Sequence, residues 1–340
     1  MVTAAPLMPD AHAPDIVTIV RSLGLVGSDE AVACHPLAGG VSSDILEVVT
    51  DGRRFCVKRA LKRLKVAAHW EAPLDRNAAE AAWFRVVAAW LPDAVPTLLG
   101  EDRQAGLFAM AFLPPATYPV WKADLLEGRV DRKVATEVGE RLGVIHSRSA
   151  RDPELAQTFA HDATFEVIRI EPYLRATARA HPALGGVLNE LARRTLDTRL
   201  ALVHGDVSPK NILCGPAGPV LIDAECACYG DPAFDLAFCL NHLLLKSAYR
   251  PPCHAAYIDA FHGLAAAYRA HVDWEAPADL EHRTATLLPA LLLARIDGKS
   301  PVEYLDEAQR SEVRRTAIAM LQSPERDLRT VTDAWSRAHG

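Results

Sequence analysis

Apolar residues recur at helical spacing from Ala13 to Leu25, where Ile16, Ile19, Val20 and Leu23 share one side and Gly24 offers a stop; a first helix is expected there. A period of two then takes over. The segment 37–49 is a Gly-containing turn that opens into alternating apolar residues, and Arg54-Phe55-Cys56-Val57-Lys58 follows Asp51-Gly52, a dipeptide that turns a hairpin. Helical spacing returns from Asp75 to Leu91, with Ala79, Ala82, Trp83, Val86, Val87 and Trp90 on one stripe. Two short apolar runs, 97–101 and 106–113, are split by the polar segment 102–105, and the second stops at Pro114-Pro115, which cannot continue a strand ladder. Beyond them the spacing is mostly helical: 134–146, 166–179 with a break near Pro172, 184–200, 236–245, and most of the last third, interrupted by 295–301. The Arg residues of 166–200 are expected to be exposed. Residues 1–12 lack periodicity and read as a loose tail.

One stretch breaks the helical regime. Leu202-Val203-His204-Gly205-Asp206-Val207-Ser208-Pro209-Lys210-Asn211-Ile212-Leu213 reads as strand, polar loop and strand, and the run Leu221-Ile222-Asp223-Ala224-Glu225 soon adds more carboxylates. Asp206 is a candidate base. Asn211 and Asp223 are hard oxygen donors of the kind that Mg²⁺ takes alongside water. An H-x-D-x-x-x-x-N loop followed by a metal-binding Asp is the phosphoryl-transfer arrangement of kinases. Together with Gly230-Asp231-Pro232-Ala233-Phe234-Asp235-Leu236-Ala237, these motifs resemble, in order and spacing, the aminoglycoside phosphotransferase and choline kinase family, small-molecule relatives of the protein kinases.

That resemblance implies an α+β, two-lobed protein-kinase-like fold, with a small antiparallel-sheet lobe over 1–113 and a larger, mainly helical catalytic and substrate-binding lobe over 114–340. Gly39, Gly40, Ser42 and Ser43 would form the phosphate loop, Lys58 the strand lysine, and Glu80 its carboxylate partner. Adenine would bond main-chain groups of the hinge 111–113, which includes Phe112, with Met110 behind the base. Asp206 would orient the acceptor hydroxyl, and the Lys210 ammonium either reaches the transferred phosphoryl group or lies on the surface. Asp235 would bond the catalytic loop and is also placed to cap the helix that follows. Ala224 departs from the aromatic residue common at its position, and the Gly-rich turn is sparse.

The implied reaction moves the γ-phosphoryl group of ATP, or of GTP, with Mg²⁺, to a hydroxyl of a sugar, an amino alcohol or an aminoglycoside-like compound. The alternative, an inactive nucleotide-binding pseudokinase, predicts loss of Asp206, Asn211 or Asp223, and all three are present. A protein kinase is disfavoured because only seven residues separate Asp223 from Asp231, too few for a peptide-docking segment. Trp121, Lys122, His242, Arg295, Asp297 and Lys299 are the candidate substrate residues. Convergence of the basic ones would favour an acceptor bearing a carboxylate, phosphate or sugar hydroxyls over an aminoglycoside.

Composition narrows the partners. The 340 residues carry 37 basic and 43 acidic side chains, a net charge of −6. These divide as 11 and 13 over 1–113 and 26 and 30 over the rest, so neither part has the basic excess of a nucleic-acid binder. The longest apolar run, 287–294, holds Pro289 and is too short to span a bilayer. No Lys or Arg precedes Arg21, which argues against a secretory leader. Seven scattered cysteines fit a reduced, cytoplasmic protein, and Cys226 and Cys228 read as small buried hydrophobes. A monomer or homodimer is expected.

Overall fold

Alternation with period two builds the first of two units. The computed structural model describes residues 16–37, 43–60 and 76–340. The first unit runs to Ala78 and takes in Leu98–Phe112, and the second holds Ala79–Thr97 and everything from Leu113. In chain order the first elements are α1 (Ile16–Ser22), β1 (Ala33–Pro36), β2 (Ser43–Val49), β3 (Arg54–Ala60), α2 (Arg76–Ala88), β4 (Leu98–Asp102) and β5 (Leu107–Ala111). Among the described residues the five strands form one antiparallel sheet in the order β1-β2-β3-β5-β4. The hairpin expected at Asp51-Gly52 joins β2 and β3, with Val49 opposite Arg54.

Side chains two apart share a face, and directly paired residues share it too. Val48, Phe55, Val57, Leu107 and Ala109 therefore point to one side, where they form a core with Ile19 and Val20 of α1. The opposite face carries Ser43, Lys58 and Met110, with Lys58 paired to Phe108 and Cys56 to Met110. Lys58 is buried there. Gly39, Gly40, Ser42 and the basic run at 62–65 lie outside the described residues.

The second unit is mainly helical. It contains α3 (Trp121–Leu126), α4 (Arg132–Ser149), α5 (Pro153–Thr158) and α6 (Asp162–Phe165), then a π-helical stretch (Glu166–Arg175) that runs into α7 (Ala176–Ala180) and α8 (Gly185–Asp197). Four short strands follow, β6 (Ala201–Val203), β7 (Ile212–Gly215), β8 (Gly218–Leu221) and β9 (Cys228–Gly230), paired as β6-β9 and β7-β8. The chain ends in α9 (Pro232–Tyr249), α10 (His254–Arg269), α11 (Pro277–Asp297), α12 (Glu307–Gln322) and α13 (Leu328–His339). Helix α4 packs against α10 closely enough that a Cβ on Gly139 would stand 2.2 Å from the Leu264 carbonyl oxygen. Among the described residues no helix is long and apolar enough to cross a membrane.

Two expectations change. Pro172 does not break its helix. It lacks an N–H and its ring crowds the preceding turn, and the helix accommodates both by widening to π geometry over 166–175. Asp235 is not a cap, because α9 starts a turn earlier, where Asp231 accepts from the Ala233 N–H at 3.0 Å.

Candidate active site

The loop after β6 is held from below by a buried carboxylate. Asp235, in the first turns of α9, is fully buried, and its two oxygens accept the N–H groups of His204 at 2.7 Å and Gly205 at 2.8 Å. His146 Nε2 lies 3.3 Å from the same group, and His146 Nδ1 faces the Tyr268 hydroxyl at 2.7 Å; a proton on Nε2 satisfies both contacts. A buried carboxylate with this many donors is satisfied and fixes the backbone it bonds. The His204 ring receives the Asp206 N–H on Nδ1 at 3.2 Å, meets the Ile222 carbonyl through Nε2 at 3.1 Å, and sets an edge against Trp83 at 5.0 Å. Burial, opposed by the nearby Asp235, Asp206 and Asp223, holds its pKa below the ordinary value, in keeping with a neutral ring that accepts at one nitrogen.

Gly205 has φ +76°, and a Cβ there would sit 2.7 Å from the Cys226 carbonyl oxygen. Only glycine takes this backbone and this close approach without strain. The turn delivers Asp206, which is 3 % exposed. Its Oδ2 meets Arg169 Nη2 at 2.8 Å, Asn211 Nδ2 at 2.9 Å and Lys210 Nζ at 3.2 Å. Burial alone would raise the carboxyl pKa; the Arg169 and Lys210 charges outweigh it and hold the group below the usual carboxylate range. Asp206 is therefore ionised at neutral pH. The same carboxylate is the main reason that Lys210 titrates above its ordinary value.

Asn211 ends a turn of 3₁₀ helix, Pro209–Asn211, and its amide nitrogen also donates to the Asp206 carbonyl at 3.1 Å. With that nitrogen committed, the amide oxygen is the atom left to ligate. Asp223, just past β8, is half-buried with φ +65°, an uncommon conformation for a non-glycine residue and one that concentrates at functional sites. Its charge acts on both Asp206 and Lys210. A carboxylate and an amide oxygen, completed by water and phosphate oxygens, fit Mg²⁺.

Arg169 was not foreseen. Among the helices of 166–200 expected to display exposed arginines, this one is buried, donating through Nε to the Gly205 carbonyl at 2.5 Å as well as to Asp206. The signal was available in the pattern: Phe165, Arg169 and Tyr173 are four apart on one stripe, the first and last apolar and buried.

Sequence comparison settles the family. A family model described as the phosphotransferase enzyme family matches residues 33–274, more than half of the chain. The chain belongs to the phosphotransferase enzyme family. It is similar to a methylthioribose kinase of Pectobacterium atrosepticum at 24 % identity over 263 residues, 69 % of this chain but only 65 % of that relative. The structure resembles an ethanolamine kinase of Plasmodium vivax, with TM-score 0.51, 12 % identity and coverage of 95 % of this chain and 85 % of the other. An aminoglycoside phosphotransferase from Alicyclobacillus acidocaldarius gives TM-score 0.50 at 16 % identity, over 94 % and 97 % of the two chains. These likenesses show the fold, α+β and protein-kinase-like, with an antiparallel sheet in the N-terminal part and a mainly helical C-terminal part.

In this family member the remaining candidates scatter. Ser43, Lys58, Met110 and Phe112 belong to the first unit; the Phe112 ring lies 4.4 Å under the Arg54 guanidinium. Glu80 is buried on α2 within the second unit. Trp121 is only 1 % exposed, so its ring is core rather than pocket lining. Asp297 is taken up by Arg314, at 2.7 Å to each oxygen, and by His181 at 2.8 Å. Lys122 pairs with Glu303 at 2.5 Å and Lys299 with Glu171 at 3.1 Å. His242 and Arg295 differ from these: both stand on the side of the second unit that leads to Arg169.

Proposed function

We propose that the chain is a small-molecule kinase that moves the γ-phosphoryl group of ATP, or of GTP, to a hydroxyl of a sugar, an amino alcohol or a related compound. The observation that carries this reading is the Asp206 carboxylate, ionised and fixed by Arg169, Lys210 and Asn211, with Asp223 acting on it electrostatically. Phosphoryl transfer asks of a protein mainly positioning and charge neutralisation. The acceptor oxygen bonds to the γ-phosphorus, the bond to the β,γ-bridging oxygen breaks with its electron pair leaving on the diphosphate, and the hydroxyl proton passes toward Asp206. Asn211 and Asp223 hold Mg²⁺, which neutralises the phosphate oxygens when bound. Lys210 lies 3.2 Å from Asp206 and serves the transferred group from the exposed side of the loop.

The nucleotide falls to residues 1–113, with Lys58 and Ser43 at its phosphates, and Met110 and Phe112 at its base. Residues 114–340 supply catalysis and the acceptor site. The common sheet face of Ser43, Lys58 and Met110 supports that division. The test incubates purified protein with Mg²⁺, ATP or GTP, and a panel of sugars, amino alcohols, hydroxy acids and aminoglycosides, scored by nucleoside diphosphate release. Acceptor-dependent release is expected. Tight nucleotide binding with no release for any acceptor would instead mark an inactive nucleotide-binding module.

A further inference from the structure

Helix α9 carries Asp235, Phe238, His242 and Lys246 at spacings of three, four and four, on one face. The first of these bonds the catalytic loop. The next leads away from it: the Arg169 guanidinium that grips Asp206 stands 6.0 Å from the rings of both Phe238 and Tyr173. The His242 ring meets Phe238 at 5.6 Å, and the Arg295 guanidinium lies 5.9 Å from the Tyr173 ring, with Nη1 3.3 Å from its hydroxyl. One turn past His242, the Lys246 ammonium faces the Tyr304 ring at 5.2 Å.

This group lacks its counter-charge. Lys246 is 1 % exposed, and among the described residues its ammonium makes neither an ion pair nor a hydrogen bond. Buried beside it, His242 Nδ1, Arg295 Nε and the Tyr304 hydroxyl also have no hydrogen-bond partner among the described residues. Such groups cost free energy when left bare in a dry interior, and a chain that keeps several together is adapted to a ligand that satisfies them. The carboxylate on the rim, Glu303, is already paired with Lys122. Arg295 and Tyr304 are half-buried, so the cluster reaches the surface at that rim.

We propose that His242, Lys246, Arg295 and the Tyr304 hydroxyl form an anion subsite that binds a carboxylate or phosphate group of the phosphoryl acceptor. The inference rests on the kinase reading for the word acceptor, and on the cluster alone for the anion. A polycationic drug or a quaternary amine finds no unpaired acid here among the described residues, since Glu303 is held by Lys122. Burial, then the charges of Arg295 and Lys122, pull the Lys246 pKa down to about 7, with Cys239 and Glu303 opposing weakly. His242 is driven down by burial and by Lys246, Arg295, Lys210 and Lys122, so it presents a neutral ring. An arriving anion returns the proton to Lys246, and binding at pH 8 is accompanied by proton uptake.

Calorimetry at pH 8 in two buffers of different ionisation heat tests this, with glycerate, gluconate and ribose 5-phosphate set against glycerol, sorbitol, ribose and kanamycin. At least one anion is expected to bind with proton uptake, more than tenfold tighter than its neutral twin and than kanamycin. Lys246→Met should abolish the uptake and weaken that anion at least tenfold while leaving the affinity for ATP unchanged; should the variant not fold, the uptake by the wild-type protein decides. Failure of every anion to bind, or binding without uptake, overturns the subsite. Turnover of neutral acceptors without anion binding sinks the subsite and leaves the kinase reading intact. Anion binding with uptake but no phosphoryl transfer does the reverse.

Discussion

Two groups of cations in the same unit are treated in opposite ways. Around Asp206, Arg169 and Lys210 converge on one carboxylate oxygen, and Asp223 adds a second negative charge beside them. Around Lys246, a fully buried ammonium and the half-buried Arg295 stand near a single acid, which Lys122 already occupies. The first group is complete without a ligand, as suits a carboxylate that must keep one orientation through a reaction. The second is incomplete, and its cost to the fold marks a place where something else supplies the charge. Completeness separates machinery from subsite more clearly than residue type does, since both groups are built of Lys, Arg and aromatic rings.

The contrast can be broken by substitution. Arg169→Met removes one partner of a buried ion pair and leaves Asp206 with the exposed Lys210 as its remaining ion-pair partner beside the Asn211 amide, so unfolding in urea should show a loss of about 3–5 kcal/mol. Lys246→Met should do the opposite. The unfolded lysine titrates near 10.5 and the folded one near 7, so between those values the unfolded chain holds the extra proton and wild-type stability rises with pH. The variant is expected to be the more stable at pH 7, with the difference shrinking toward pH 10; denaturant midpoints across that range measure it, and a constant difference would refute the assignment. The smallest effect is expected of Lys210→Met. Its side chain is 55 % exposed, and the lost pairing should cost no more than about 1 kcal/mol of stability, even where turnover suffers.

The candidate catalytic loop was legible because its residues are local. His204, Gly205, Asp206 and Asn211 lie within one turn and its flanking strands, and Asp223 follows a short hairpin later, so spacing alone brings them together. The strands of the first unit were legible for the same reason, through alternation and the Asp51-Gly52 turn. What was missed depends on contacts distant in sequence. Arg169 reaches Asp206 from a helix whose π widening no local rule announces, although its place on an apolar stripe was a hint. Trp121 and Asp297 attract attention by residue type, yet the burial of one and the pairing of the other with Arg314 and His181 come from the fold. Strand β1, a four-residue edge with a mostly exposed pattern, lacks the alternation that would disclose it.

The central claim is that Asp206 handles the acceptor proton while Asn211 and Asp223 hold the metal. The most direct measurement is the rate of acceptor-dependent nucleoside diphosphate release by Asp206→Asn beside the wild-type protein, with nucleotide affinity followed in parallel. The account predicts a fall in kcat of at least about 100-fold with the affinity for Mg²⁺-ATP retained. Turnover near the wild-type rate would contradict it.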